Sequence, residues 1–314
     1  MSTFSRVIVA SLAIAIAGCS SSSSGDSAAT NPDQACNDAA AAVCAAYQRC
    51  TPFFVDLGWG DLATCQTRTK ASCTSTLSAT GSTMTAQQVS DCGKGATGIS
   101  CADLFDKGAP DACVPPAGTV ANGKACGDDA QCVSTFCAIA SGTLCGTCAP
   151  LTNAGDACVS GQCSRHLGCI AGKCVKPGAL GDACDARNAP CGTALSCFSG
   201  KCVAAAKAGD KCDAAEITAP NCDLTQGVGC NPGTKVCQKV IEAKAGESCG
   251  LVGSDFKVCV PGGRCKIAPG VASGTCIAPV ADGASCGGAD LAPCLSPAKC
   301  IGGVCKLPDP NSCK

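Results

Sequence analysis

Between residues 126 and 305 the cysteines recur in groups of four. A glycine stands three positions before the first cysteine of every group: Gly123/Cys126, Gly155/Cys158, Gly181/Cys184, Gly209/Cys212, Gly246/Cys249 and Gly283/Cys286. A glycine at a fixed place in a repeat marks a turn whose backbone needs positive φ. Two more cysteines follow, usually with five residues between them. A fourth closes the group, typically after a glycine two residues earlier, as in Ala171-Gly172-Lys173-Cys174, Ser199-Gly200-Lys201-Cys202 and Gly302-Gly303-Val304-Cys305. Strand, glycine turn and cysteine predict a tight β-hairpin stapled at its end. In the fourth group this glycine is displaced to Gly233, which predicts a longer hairpin.

The structural frame is then Cys126, Cys132, Cys137 and Cys148; Cys158, Cys163, Cys169 and Cys174; Cys184, Cys191, Cys197 and Cys202; Cys212, Cys222, Cys230 and Cys237; Cys249, Cys259, Cys265 and Cys276; Cys286, Cys294, Cys300 and Cys305. The first group holds five cysteines. Because Gly146-Thr147-Cys148 fits the closing position, Cys145 is its extra member, and Cys313 is a second left over. The sequence leaves open whether these two pair together, pair elsewhere or stay free.

This density predicts a disulfide framework in an oxidising compartment. Of 35 cysteines, setting aside Cys19 leaves 34, an even number. Aromatic residues are only 3% of the chain, too few for one extensive core in 314 residues. Cross-links replace burial, each bridge over a short loop contributing about 2–4 kcal/mol. The expected fold is small and disulfide-rich: an N-terminal disulfide-bonded helical region, 36–119, then a tandem array of short β-hairpin cystine modules, 120–314. The six modules divide at about 120–150, 151–176, 177–205, 206–240, 241–279 and 280–314.

The chain opens MSTFSRVIVASLAIAIAGCSSSSSG. Arg6 and the apolar run Val7–Ala17 have the length of a secretory signal and fall short of the roughly 20 residues that a membrane-spanning helix needs. Ile16-Ala17-Gly18-Cys19 resembles the lipobox of bacterial lipoproteins. That resemblance implies a signal peptide over 1–18, cleavage before Cys19, and lipidation of Cys19 by palmitate-type acyl chains, which anchor stably. The serine-rich stretch reads as a lipidated tether, 19–35. Ser20, standing where aspartate retains such proteins at the inner membrane, implies the outer membrane. The expected location is the cell envelope, as an outer-membrane lipoprotein facing the periplasm or the surface.

Residues 36–113 carry eight cysteines and most of the bulky side chains. Asn31 is a candidate N-cap, Pro32 fits a first helical turn, and the alanine-rich body favours helix. Cys36 and Cys44 are eight apart, as are Cys65 and Cys73. Eight residues is a little over two turns, so each pair lies near one face. Two such helices laid antiparallel can be joined as Cys36–Cys73 and Cys44–Cys65. Between them TPFFVDLGWG gathers Phe53, Phe54, Val55, Leu57 and Trp59 as an aromatic binding patch or, the preferred reading, a small core under the helix pair. Thr85 to Gln88 fits a capping box opening a third helix, and Ser100–Phe105 a short fourth.

Cys126-Gly-Asp128-Asp129-Ala-Gln-Cys132-Val-Ser134-Thr-Phe136-Cys137 resembles the core of Dickkopf N-terminal-type cysteine-rich domains. It is also similar to repeats of cysteine-rich bacterial lipoproteins. The later modules keep the cysteine and glycine frame without the Ser-x-Phe signature. Four cysteines allow three connectivities. By analogy with EGF-like modules, the likeness implies first–third and second–fourth pairing within each module.

Catalytic readings find little. Zinc sites need repeated close cysteine pairs or histidines; the chain has one C-x2-C, Cys145–Cys148, and one histidine, His166. A thioredoxin-like role for that pair needs a βαβ context. Gly246-Glu-Ser248-Cys-Gly250 and Gly283-Ala-Ser285-Cys-Gly287 match G-x-S-x-G, but these serines fill the slot of Ala125, Ala157, Ala183 and Lys211 in sister modules. Asp156, Asp182, Asp210 and Glu247 stand two before a first cysteine, one carboxylate per module against the six to eight oxygens of calcium. They read as acids on solvated turns, and His166 as an exposed loop residue. No catalytic, metal or cofactor residue is expected, and the net charge of −1 gives no reason to expect nucleic acid.

The sequence therefore points to a non-enzymatic, surface-anchored lipoprotein with a structural or interaction role. Its expected partners are the membrane, through the lipid anchor, and a surface protein or glycan. The alternatives are a protease inhibitor and an enzyme with a site in the helical region near Trp59.

Overall fold

A computed structural model of the chain describes residues 30–158, 162–185, 188–216, 218–287 and 292–314. The expected signal peptide, Cys19 and the tether up to residue 29 lie outside the described residues. Among the described residues five helices occur, α1 (Pro32–Cys50), α2 (Pro52–Gly58), α3 (Leu62–Leu77), α4 (Ala86–Gly98) and α5 (Cys101–Lys107), followed by short strands and single 3-10 turns. The last residues of the expected tether are thus helical. The chain forms two compact units. The first takes the described part of Met1–Ala46, with Ala63–Leu151 and Pro308–Lys314; the second takes Tyr47–Leu62 and Thr152–Leu307. The expected boundary at 119/120 falls inside the first unit.

In the first unit the Asn31 side-chain oxygen caps α1, accepting from the Asp33 N–H at 2.9 Å. Helices α1 and α3 run antiparallel, joined as Cys36–Cys73 and Cys44–Cys65 with Cα separations of 5.6 and 6.1 Å. These are the two bridges expected for an antiparallel pair of helices with cysteines on facing sides. The Thr85–Gln88 capping box opens α4, and the Ser100 hydroxyl caps α5 by accepting from the Asp103 N–H. Small residues let α4 lie close on α1: a β-carbon on Gly93 would come within 3.0 Å of the Ala39 Cα. Around them Ala35, Cys36, Ala39 and Val89 are buried, with Leu77 and Met84 packed alongside.

The first cystine module belongs to this helical unit. The buried Gln131 side chain accepts from the Gly127 N–H at 2.7 Å and donates to the Thr80 carbonyl at 2.8 Å. The C-terminus returns to the same place. Asn311 accepts from the Thr80 N–H at 2.7 Å and donates to the Ser78 carbonyl at 3.1 Å, and Cys313 is bonded to Cys145. The two cysteines left over from the repeat frame therefore pair with each other.

All six modules share one backbone scheme. The residue six before the first cysteine pairs in parallel with the second cysteine, as in Val120/Cys132, Thr152/Cys163 and Ala243/Cys259. The residue just before the first cysteine pairs antiparallel with the one before the fourth, as in Ala157/Lys173 and Ser248/Thr275. Third and fourth cysteines face each other across the hairpin, as in Cys169/Cys174 and Cys300/Cys305. They are not bonded to each other. The first cysteine bonds the third and the second bonds the fourth, as in Cys158–Cys169 and Cys163–Cys174. The same holds in the other five modules. Two crossed disulfides are thus the core of each module, and the fourth cysteine is buried in all six.

The glycine rule has its physical cause in the turn before the first cysteine. Gly123, Gly155, Gly181, Gly209, Gly246 and Gly283 have φ between 82° and 92°, the third position of a type II turn. Each donates its N–H to the carbonyl of the fourth cysteine, which donates back to the residue after the glycine; Gly155 to Cys174 is 2.8 Å and Cys174 to Asp156 is 2.9 Å. In the second, third and sixth modules the hairpin closes through pairs of positive-φ residues, Ala171-Gly172, Ser199-Gly200 and Gly302-Gly303, as a two-residue I′ turn requires. The fourth hairpin, 228–230 with 237–239, spans a longer loop in which Asn231 accepts from the Gly233 and Thr234 N–H groups.

Glycines of two kinds give a direct test. A β-carbon on Gly155 meets open space, so Gly155→Ala costs only the left-handed backbone, about 1–2 kcal/mol. On Gly146 the same carbon would overlap the Ala138 carbonyl across the strand pair, so Gly146→Ala forces the hairpin apart and costs about 3 kcal/mol. Hydrogen exchange within each module measures both, and equal losses would contradict the assignment.

Candidate functional site

The residues that could carry chemistry are mostly engaged by their own backbone. Every cysteine from Cys36 to Cys313 is disulfide-bonded. In a module the sulfurs crowd together, those of Cys126, Cys132 and Cys137 lying within 4.8 Å of one another. Metal ligation needs thiolates, and sulfurs joined to sulfur supply none. Cys148 of the C-x2-C pair is buried and bonded to Cys132, while Cys145 is bonded to Cys313.

The turn carboxylates are exposed, as expected, and each has a defined task. Asp182, Asp210 and Glu247 accept from the backbone N–H three residues earlier, at Ala179, Lys207 and Lys244, over 2.7–2.9 Å. Asp156 does the same from Asn153 at 3.3 Å. They are side-chain locks on the type II turns. Ser248 and Ser285 lie in strand-ladder positions opposite Thr275 and Val304, and Ser248 runs on within a strand rather than into the helix that a nucleophile elbow requires. His166 is half-buried rather than exposed, at φ 66°. Three positions after the second cysteine, it is the counterpart of Thr135, Ala194 and Gly262, which share its left-handed backbone. The loop geometry, not imidazole chemistry, defines that position.

The aromatic segment is not a core beneath α1 and α3. Residues 51–60 belong to the second unit and pack on its fourth and fifth modules. The buried Thr51 hydroxyl donates to the Thr225 carbonyl at 2.7 Å, the Phe53 ring lies against Gly227, and the Gly262 N–H donates to the Leu57 carbonyl at 2.5 Å. Val55 is fully buried, whereas Phe53, Phe54, Leu57 and Trp59 are half-buried. The segment is a clip across two modules. Nothing local in TPFFVDLGWG names a partner some 170 residues away in the chain.

Three features escaped the sequence reading. Buried Ser196 donates to the Glu216 carboxylate at 2.8 Å and accepts from the Asn221 N–H at 2.8 Å, a polar lock between the third and fourth modules. A cleft of about 390 Å³ on the fourth module is lined by Lys211, Thr218, Thr234 and Lys235 among others, with no carboxylate or imidazole among the described lining residues. Asp129, within the Cys126–Cys137 stretch, is pushed up to about 7, first by burial and then by the neighbouring Asp128 charge. A hydrogen bond from the Cys137 N–H at 2.6 Å opposes the rise. Asp129 thus braces the first hairpin at a cost that grows when it ionises.

Compared with known proteins, the chain matches no family model, no curated protein and no solved structure.

Proposed function

We propose that the chain is a cell-envelope lipoprotein, anchored through Cys19, whose body is a disulfide scaffold presenting loops to a surface protein or glycan. The lipobox and Ser20 support an outer-membrane location, and the Cys126–Cys137 stretch supports a likeness of the first module to Dickkopf N-terminal-type cysteine-rich domains. Among the described residues no helix is long and apolar enough to cross a membrane.

The observation that carries the reading is a constant frame with variable loops. The backbone pairing and both bridges repeat in every module, while the loop between the first and second cysteines changes freely. Four residues separate Cys158 from Cys163, and nine separate Cys212 from Cys222. A scaffold that fixes its backbone with its own turns and cysteines leaves its loops free to vary, and function then resides in the loops.

The test uses cells making the full chain or its Cys19→Ser variant. The wild-type chain is expected in the membrane fraction, carrying acyl mass and open to added protease on intact cells; the variant is expected in the soluble fraction. A wild-type chain that is soluble and unacylated would overturn the anchoring. Stoichiometric inhibition of trypsin or subtilisin by the purified chain would replace the scaffold reading with the inhibitor.

A further inference from the structure

Bridges such as Cys36–Cys73, Cys44–Cys65 and Cys92–Cys113 lie within the helical region, and two more belong to each module; Cys145–Cys313 is of neither kind. Cys145–Cys313 joins positions 168 residues apart. Among the described residues Cys145 is the one bonded cysteine that is exposed; the others are buried or half-buried. It ends the loop 140–145 of the first hairpin, where the chain is mostly solvent-facing, whereas its neighbour Cys148 is sealed in the module core. Thiol–disulfide exchange needs access to a sulfur, and exposed disulfides are the labile ones.

We propose that Cys145–Cys313 is a thiol-exchange site, the single bridge that dithiols of the envelope open while the protein stays folded. The incoming thiolate bonds to Sγ of Cys145, the Cys145–Cys313 bond breaks, and Cys313 leaves as a thiolate that takes up a proton. The second thiol of the reagent then attacks the mixed disulfide. Two electrons and two protons pass to the protein, and the dithiol departs as its cyclic disulfide. The site reverses readily because residues 308–314 have a second grip. Pro310 is buried, Asn311 keeps its bonds to Thr80 and Ser78, and the Ser75 hydroxyl donates to the Pro308 carbonyl at 3.2 Å. After scission these contacts hold Cys313 near Cys145, so re-formation is intramolecular. The bridge is a covalent latch on a segment that is already seated.

The experiment uses the native full chain. Free thiols are blocked with iodoacetamide, limiting dithiothreitol is added without denaturant, and new thiols are trapped with N-ethylmaleimide and located by peptide mapping. Cys145 and Cys313 are expected to label about tenfold faster than any other cysteine. Earlier labelling of a half-buried module pair such as Cys158 and Cys169, or simultaneous labelling of all cysteines, would overturn the proposal. In the C145S/C313S double variant the early label should vanish while the remaining pairs keep their rates; its persistence would equally overturn it.

Discussion

Replacing Cys212 and Cys230 together by alanine is expected to destabilise the fourth module by about 3 kcal/mol and to leave the other modules almost unchanged. The bridge closes a loop of 18 residues, for which restricting the unfolded chain is worth about that much. Sulfur atoms also make up much of what is buried there: Cys212, Cys222 and Cys237 form the core with only Ala206 and Val228. No large side chain can close over the gap. Other modules hold their own crossed bridges, so the loss should stay local. Hydrogen exchange reads this directly, because the Gly209 and Cys237 amides are held by the carbonyls of Cys237 and Asp210. Their protection should fall by roughly two orders of magnitude, as about 3 kcal/mol requires, while Gly155 and Cys174 keep theirs. Loss of protection throughout the chain would show that the modules are not independent.

Asp129→Asn is expected to abolish most of the pH dependence of the first unit. An acid whose value rises from 3.8 to about 7 on folding holds a proton in the folded state that the unfolded chain has released. Stability is therefore greatest below about pH 4, falls as pH rises toward 7, and stays low above it. Three pK units set an upper bound of about 4 kcal/mol on the loss. Asparagine keeps an oxygen for the Cys137 N–H and carries no charge, so the variant should gain stability at pH 8 and little at pH 4. Urea unfolding followed by far-ultraviolet circular dichroism checks this, since four of the five helices lie wholly or largely in that unit. A variant that follows the wild-type pH curve would place the titrating group elsewhere.

What could be read in advance was local. Gly155 and Cys158, or Gly172 and Cys174, lie within one turn of each other, and a turn needing positive φ leaves glycine at a fixed offset. The helix staples were legible for the same reason: cysteines eight apart share a helix face, and Cys36–Cys73 with Cys44–Cys65 is the antiparallel solution. Long-range facts were not legible. Phe53 meets Gly227, and Cys145 meets Cys313, only because the chain returns to earlier segments. No periodicity records such returns. The burial that raises Asp129 is likewise tertiary. The acids before each first cysteine were rightly placed on exposed turns, while their role as locks on those turns appeared only with the Ala179, Lys207 and Lys244 amides in view.

Crossed cysteine staples are the core of every module. Peptide mapping of the unreduced chain by mass spectrometry tests this pairing most directly. The predicted result is first–third and second–fourth linkage in every module, seen for example as Cys158–Cys169 with Cys163–Cys174, together with Cys36–Cys73, Cys44–Cys65 and Cys145–Cys313. Linkage of sequence neighbours, such as Cys158–Cys163 with Cys169–Cys174, or modules isolated with free thiols, would contradict it.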